Sequence, residues 1–378
     1  MTKREQEILG YIRENPFISQ AEIAEKANIT RSSVAVHITN LVKKGLLKGR
    51  AYVLADNMYI VAIGGVTVNI EGRSQSELIS NDVNTGLVIQ TVGGSCKNIV
   101  DYLNKFEIDV ELITAFSDDF YGNTIIDACK TLRIPIKSSL FVPGTQSSTC
   151  ISVYDDSQEN RFEVSDMNIL DNISPDFIAS RSDVISGASA LVIDANLRED
   201  TIDYIASNFE IPIFVDPVSI SKSHKLVSSM GRFFAVKATK REAEILTEIE
   251  IKKYKDLKSA AYNLIERGVD QVYISLGSGG VFYANQASCG RVPSIAERTD
   301  NDSGAEDAFM AGIVYSYLNR FNIKQSAQIG VAAAKLKASE YDSRSPGSLA
   351  GIPGDGRKPR DPAEISSDAL NRIVFEAF

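Results

Sequence analysis

What most constrains the fold is a change of rhythm at Asn57. Beyond it, short apolar runs alternate with helical stretches. Tyr59–Ile63, Val110–Thr114, Ala190–Ile193, Ile213–Val215, Phe234–Val236 and Gln271–Leu276 are near-continuous apolar runs of strand length. A strand that is apolar on both faces must be covered on both faces. Helical stretches such as Asn98–Phe106, Asn123–Leu132 and Leu257–Arg267 separate these runs. The pattern predicts an α/β domain over residues 58–378, a mostly parallel, doubly wound sheet with helices on both sides. Ligands of such sheets bind at the carboxyl ends of the strands. Two further segments read as antiparallel: Leu87–Val92, and a hairpin of Thr149–Tyr154 with Arg161–Val164 turning at Asp155–Gln158. They suit a small β lid drawn from about residues 66–94 and 148–166.

Residues 1–56 follow another pattern. Ile8, Leu9 and Ile12 have helical spacing in Lys3–Glu14, which stops before Asn15-Pro16. Ser19 with Glu22 predicts a capping box opening a second helix, through about Ala27. Thr30 caps a third, in which Val34, Ile38 and Leu41 form one buried stripe; Gly45 ends it, and Leu46–Leu54 reads as a hairpin turning at Lys48-Gly49-Arg50. Three helices and a hairpin form a small α+β domain that resembles the winged helix-turn-helix of bacterial transcription regulators. By that resemblance the third helix enters the major groove of DNA. Arg31, Ser32 and Ser33 lie at its leading end, and Lys43, Lys44 and Arg50 lie near phosphates. The alternative is a dimerisation or docking module whose lysines are merely solvated; His37 reads as a packing residue.

Charge separates the two parts. The 378 residues carry a net −9, yet residues 1–55 hold nine basic and five acidic side chains, a net +4 that leaves −13 for the rest. Only the head is suited to nucleic acid. Cys96, Cys129, Cys150 and Cys289 form no CxxC pair, and with two histidines in the chain, zinc, a disulfide framework and a histidine triad are all disfavoured. No apolar run has membrane-spanning length, so a cytoplasmic protein without a membrane partner is expected.

The segment richest in chemistry is Thr299–Gly312, TDNDSGAEDAFMAG. Ser303-Gly304-Ala305 reads as a tight turn, and Asp307–Gly312 as the start of a helix. Backbone N–H groups at a helix N-terminus bind anions, and Asp307 would stand beside them as a base. Upstream lie Gly64-Gly65 with Asn69, Gly93-Gly94 with Asn98, Asp118-Asp119 with Gly122, Asp194-Ala195-Asn196, Asp216-Pro217, Lys237 with Glu242, and Gly277 with Gly280. Taken in order from about Ile60 to Phe321, these motifs resemble the ribokinase (PfkB) family of sugar and nucleoside kinases, and most of all its pseudouridine kinase-like members fused to a winged helix.

The resemblance implies a ribokinase-like fold and ATP-dependent phosphorylation of a hydroxyl on a nucleoside or sugar. Asp307 would be the catalytic base, and Gly304, Ala305 and Glu306 the anion hole. Thr67, Asn69, Gly93, Gly94, Asn98 and Asp166 would lie on the substrate side. Lys237, Thr239, Gly277 and Gly280 would lie on the nucleotide side, with Glu242 reaching Mg²⁺ through water. K⁺ is a further candidate cation, and a homodimer is expected.

The chain also departs from the family pattern. Thr67 and Asn69 stand where Asn and Asp are usual, Thr239 follows Lys237-Ala238 where Lys-Pro-Asn is usual, and Ser117 replaces a Gly. Asn69 offers one acceptor oxygen where Asp offers two. Glu306 replaces the second Gly of the signature turn, setting a carboxylate beside the phosphate site, with Asp302 close by in sequence. Ser343–Pro362 is rich in Gly, Pro and charge where an adenine-lining segment is expected. Two readings stay open: an active kinase with a DNA-binding head, or a catalytically degenerate kinase fold that senses a nucleoside, sugar or nucleotide and regulates transcription.

Overall fold

The computed structural model describes residues 1–15, 18–48, 53–54, 58–157, 160–295, 304–343 and the single positions 366, 369, 370 and 374. Parts of the expected turns (Gly49-Arg50, Gln158), the start of the signature segment (299–303, with Asp302 and Ser303) and the Gly/Pro-rich stretch from residue 344 onward lie outside the described residues.

The head is built as its caps dictate. Helix α1 (Lys3–Glu14) opens on a Thr2–Glu5 capping box, α2 (Gln20–Lys26) on the Ser19–Glu22 box, and α3 (Arg31–Lys43) on Thr30, whose hydroxyl accepts from Ser33 N–H. Gly45 takes φ +69° beyond the last turn, a conformation glycine adopts without strain. Strands β1 (Leu47–Lys48) and β2 (Val53–Leu54) pair antiparallel. Ile8, Ile12, Ile23, Val34 and Leu41 are fully buried and form the core.

The body then runs β3 (Tyr59–Ile63), β4 (Thr67–Ser74), β5 (Gly86–Gly93), α4 (Ser95–Lys105), β6 (Asp109–Ile113), β7 (Ala115–Phe116), α5 (Phe120–Thr131), β8 (Leu140–Phe141), β9 (Thr149–Tyr154) and β10 (Asn160–Asp166). After α6 (Pro175–Ala179) and α7 (Ser182–Ser186) come β11 (Ala190–Asp194), α8 (Glu199–Asn208), β12 (Ile213–Asp216), β13 (Ala235–Thr239), α9 (Lys240–Thr247) and α10 (Tyr254–Glu266). The described chain closes with β14 (Gln271–Ser275), β15 (Val281–Ala284), β16 (Cys289–Val292), α11 (Ala305–Leu318) and α12 (Ile323–Ser343).

The main sheet has the order β16-β15-β14-β13-β12-β11-β3-β6. Its six strands from β14 to β6 are parallel, and β15 and β16 add an antiparallel edge. The strand period of two divides the core in two. Ile60, Ala62 and Val192 pack with α4, α11 and α12, whereas Val61, Ile63, Leu191 and Ile193 pack with α8, α9 and α10. Chain connections leave β3 toward β6 and β11 toward β12, so the crevice between the carboxyl ends of β3 and β11 is the topological switch point.

The second sheet, of order β10-β9-β4-β5, covers that end. Its central strand β4 was not evident in the sequence as a strand; it pairs antiparallel with β5 and parallel with β9. The β15–β16 hairpin was likewise not anticipated, because its apolar run is short and interrupted by Asn285–Ser288.

Candidate active site

Two glycines open the switch point. Gly65 N–H donates to Asp194 Oδ2 at 2.8 Å, and a Cβ on Gly64 would lie 2.5 Å from the Asp194 carboxylate. Asp194 at the end of β11 stands level with Asp216 at the end of β12. Burial, then the nearby Asp216, pushes the Asp194 carboxyl up, while the Gly65 and Asn196 donors pull it down.

Asp307 lies in the first turn of α11 and is buried. Its Oδ1 accepts from Ser95 Oγ at 2.7 Å and its Oδ2 from Asn98 Nδ2 at 2.9 Å. Burial and the nearby Asp216 push its carboxyl up to about 6, against the pull of Lys237, Asn98 and Ser95. A carboxylate poised there is a competent base near neutral pH. Gly304, just before α11, has φ +98° and, among the described residues, no side chain caps the helix N-terminus. Ala305 is half-buried beside it.

Asn98, expected on the substrate side, thus orients Asp307. Ser95 went unnoticed in the sequence. It belongs to α4, which starts three residues earlier than its apolar pattern indicates because Gly94, at φ +101°, turns the chain straight from β5 into the helix. A Cβ on Gly94 would lie 2.6 Å from Gly65 O, so the two glycine pairs are in backbone contact. The Gly-Gly-Ser order was the available signal.

Opposite stands Lys237, almost wholly buried on β13. Its Nζ donates to Asp216 Oδ2 at 3.0 Å and lies 3.2 Å from Glu306 Oε2. Burial alone would lower its pKa, but Asp216, Glu306, Glu242 and Asp307 outweigh that and raise it. The extra carboxylate of Glu306 is therefore drawn to an internal cation. Thr239 serves as N-cap of α9 in a full capping box: its N–H donates to Glu242 Oε2 at 2.7 Å and its hydroxyl accepts from Glu242 N–H at 3.3 Å. Burial pushes the Glu242 carboxyl up, with Lys237 opposing. Just past β14, Gly277 (φ +55°) and Gly280 (φ +82°) make the neighbouring loop; a Cβ on Gly280 would meet Val292 O at 2.1 Å.

On the lid, Thr67 gives its hydroxyl to Asn69 Oδ1, and a Cβ on Gly93 would lie 2.5 Å from Asn69 Nδ2. Thr67 thereby takes one of the two lone pairs of the Asn69 amide oxygen. Lys222 donates to Asn196 Oδ1 at 2.6 Å, and its charge interacts with Glu163, which shares a face of the lid with Cys150 and Asn69. Asp166, half-buried at the end of β10, accepts from Asn168 N–H at 3.1 Å. The acidic turn is structural: Asp119 caps α5 through Gly122 N–H and receives Ser147, and Asp118 accepts from Gly144 N–H.

On the head, Arg31 is exposed, while the Ser32 and Ser33 hydroxyls lie 2.9 and 2.8 Å from Thr30 Oγ1. Lys43 is exposed; Lys44 Nζ donates to both oxygens of Glu5, and Arg50 lies outside the described residues.

The site thus sets a buried carboxylate at a helix N-terminus, a carboxylate–lysine pair beside it and a small β-sheet over the strand ends. The sequence profile of the pfkB family carbohydrate kinases matches residues 57–348. The chain belongs to the pfkB family. A winged helix-turn-helix DNA-binding profile matches residues 1–48. The chain is 30% identical to the uncharacterized sugar kinase YeiI of Escherichia coli K12 over 92% of its own length and 95% of that protein. It is 28% identical to the pseudouridine kinase of the same organism over 78% of its length and 95% of that enzyme. The Arabidopsis thaliana ribokinase complexed with ribose and ATP superposes with a TM-score of 0.64 at 12% identity, over 84% of this chain and 98% of that one, which speaks for the fold alone. This pfkB chain is thus a sugar or nucleoside kinase by family, in a fold whose kinases use ATP and typically a divalent metal. Among the described residues no helix is long and apolar enough to cross a membrane.

Proposed function

We propose that this pfkB chain transfers the γ-phosphoryl group of ATP to a hydroxyl of a ribose-containing nucleoside or related sugar, pseudouridine foremost, and that residues 1–56 bind DNA. The observation that carries the reading is Asp307, held by two neutral donors in the first turn of α11 with its carboxyl pushed up to about 6. The pseudouridine kinase similarity supports the substrate class. Lys222 and Asn196 supply donors near the lid for the acceptor-rich edge of a base.

In the proposed reaction Asp307 takes the proton of the attacking hydroxyl as its oxygen bonds to phosphorus and the bond to the departing phosphate breaks. Ser95 and Asn98 keep the carboxylate aimed. The N–H groups of Gly304, Ala305 and Glu306 hold the charge that develops on the transferred group. The nucleotide brings the phosphoryl group, and Mg²⁺ would arrive bound to its phosphates. Among the described residues no cluster of three His, Cys, Asp or Glu is placed to hold a metal alone, and one buried carboxylate, Glu242, fits a Mg²⁺ ion held mainly by phosphate and water. Gly277 and Gly280 would pass under the nucleotide beside Lys237 and Thr239, and K⁺ would act as an accessory cation. Thr67, Asn69, Gly93, Gly94 and Asp166 would border the substrate.

The outer face of the lid supports a homodimer. Val88, Phe162 and Val164 are 72%, 70% and 70% exposed, and Ile151 shares their face. In the head, Arg31 and Lys43 would meet DNA, and the charge contrast between head and body supports that reading.

The second reading, a sensor without turnover, is favoured by one observation: Lys237 is already held by Asp216 and Glu306. The experiment that separates the two is ATP consumption with Mg²⁺ and K⁺ over a panel of nucleosides and pentoses, with Asp307→Asn as control. Turnover that vanishes in Asp307→Asn supports the kinase. Ligand-dependent thermal stabilisation without turnover on any member supports the sensor.

A further inference from the structure

The cation nearest the reacting groups is over-committed. One Lys237 ammonium interacts with Asp216, Glu306, Glu242 and Asp307. A helix N-terminus offers about half a unit of positive charge, so the end of α11 cannot by itself offset this excess when a phosphoryl group arrives. Beyond the cations a nucleotide would bring, the packing of α11 on α12 places a second protein cation at this turn.

The two helices touch backbone to backbone where a Cβ on Gly312 would lie 2.8 Å from Gly330 Cα. From that crossing, Gly304 lies eight residues toward the N-terminus of α11, and Lys337 seven residues, two full turns, toward the C-terminus of α12. At 1.5 Å per residue those paths are about 12 and 10.5 Å, so in an antiparallel pair the two residues stand at one height. Seven residues also return Lys337 to the face that carries Gly330. Accordingly, a Cβ on Gly304 would lie 3.1 Å from Lys337 Cε. The lysine stem crosses over the turn whose N–H groups form the anion hole, and its ammonium is one bond further on. Gly304 lacks a Cβ for two reasons, its φ of +98° and this crossing.

We propose that Lys337 is a catalytic residue that binds the transferring γ-phosphoryl group, filling the place Glu306 denies to Lys237. It transfers no proton, makes no covalent bond and offsets charge on the phosphoryl oxygens. The proposal rests on the kinase reading for its rate effect, but its effect on nucleotide binding does not require turnover.

The test uses the full chain and its Lys337→Met and Lys337→Arg variants, with thermal stabilisation by Mg-ATP and by Mg-ADP measured beside turnover. Wild type is expected to gain more from ATP than from ADP. Lys337→Met should keep the ADP effect, which also shows that it is folded, and lose the extra gain from ATP. Its kcat should fall roughly 10²-fold, the order seen on removing one donor to a developing oxyanion, with the acceptor KM unchanged; Lys337→Arg should recover part of both. An ATP-over-ADP gain that survives in Lys337→Met, or is missing from wild type, overturns the proposal. If wild type turns over no acceptor, the kinase reading fails, and the ATP–ADP comparison still decides the role of Lys337.

Discussion

Replacing Glu306 is the most direct probe of whether this signature turn is impaired. Glu306 Oε2 lies 3.2 Å from Lys237 Nζ, with 41% of the glutamate side chain exposed. Two unit charges at that separation attract by about 1.3 kcal/mol in water and about 5 kcal/mol at an effective dielectric of 20. Solvent reaches Glu306 from one side, so the lower end applies, about 1–2 kcal/mol. A phosphate that uses Lys237 must displace that carboxylate, and freeing the lysine should raise kcat/KM for the nucleotide roughly 5- to 30-fold. Steady-state kinetics on Glu306→Gln and Glu306→Gly would read the effect. The Gln variant removes the charge at constant shape, whereas the Gly variant also restores freedom to the turn. Equal gains identify electrostatics as the cause, and a gain confined to Gly identifies backbone strain. Unchanged or lower turnover in both variants would refute the argument, since Glu306 would then be serving the site.

Other expectations follow from the same geometry. The pH profile of kcat/KM should rise through about pH 6 as Asp307 loses its proton, because its folded pKa is raised to about 6. Asn98→Ala should move that midpoint upward, since Asn98 donates to the ionised form; a midpoint left in place would remove Asn98 from its positioning role. The same raised pKa means Asp307 favours the folded state below its unfolded value and loses that contribution as pH rises through about 6. Asp307→Asn should therefore flatten the pH dependence of the unfolding midpoint across that window. Gly312→Ala would force a Cβ to within 2.8 Å of Gly330 Cα, and a loss of about 1–3 kcal/mol is expected in denaturant unfolding. Phe162→Asp on the lid's outer face should shift sedimentation toward monomer while leaving the main sheet folded. Lys43→Ala should lower the slope of log DNA affinity against log salt by about 0.9; an unchanged slope would take Lys43 off the phosphate backbone.

Local chemistry was enough to read much of the fold. The Ser19–Glu22 box, the Thr30 cap and the stripe Val34, Ile38, Leu41 depend on neighbours within one or two turns, so a helix in the head can be read from its own residues. The six central strands announced themselves because burial on both faces demands unbroken apolar runs. Strand β4 did not. Its residues Asn69, Glu71 and Arg73 alternate with Ile70 and Gly72, a weak pattern that becomes a strand only between β5 and β9. The candidate site divides in the same way. Asp307, Gly304, Lys237 and Glu242 were legible because each sits in a short motif. Their partners depended on contacts across the chain. Ser95 and Asn98 reach Asp307 over some two hundred residues, Glu306 finds Lys237 from another element, and Lys337 meets Gly304 only because two helices cross at a pair of glycines. The order of residues determined which groups this protein owns and which local elements carry them. Tertiary packing decided which charges face one another, because Coulomb attraction and burial depend on distance in space and not along the chain.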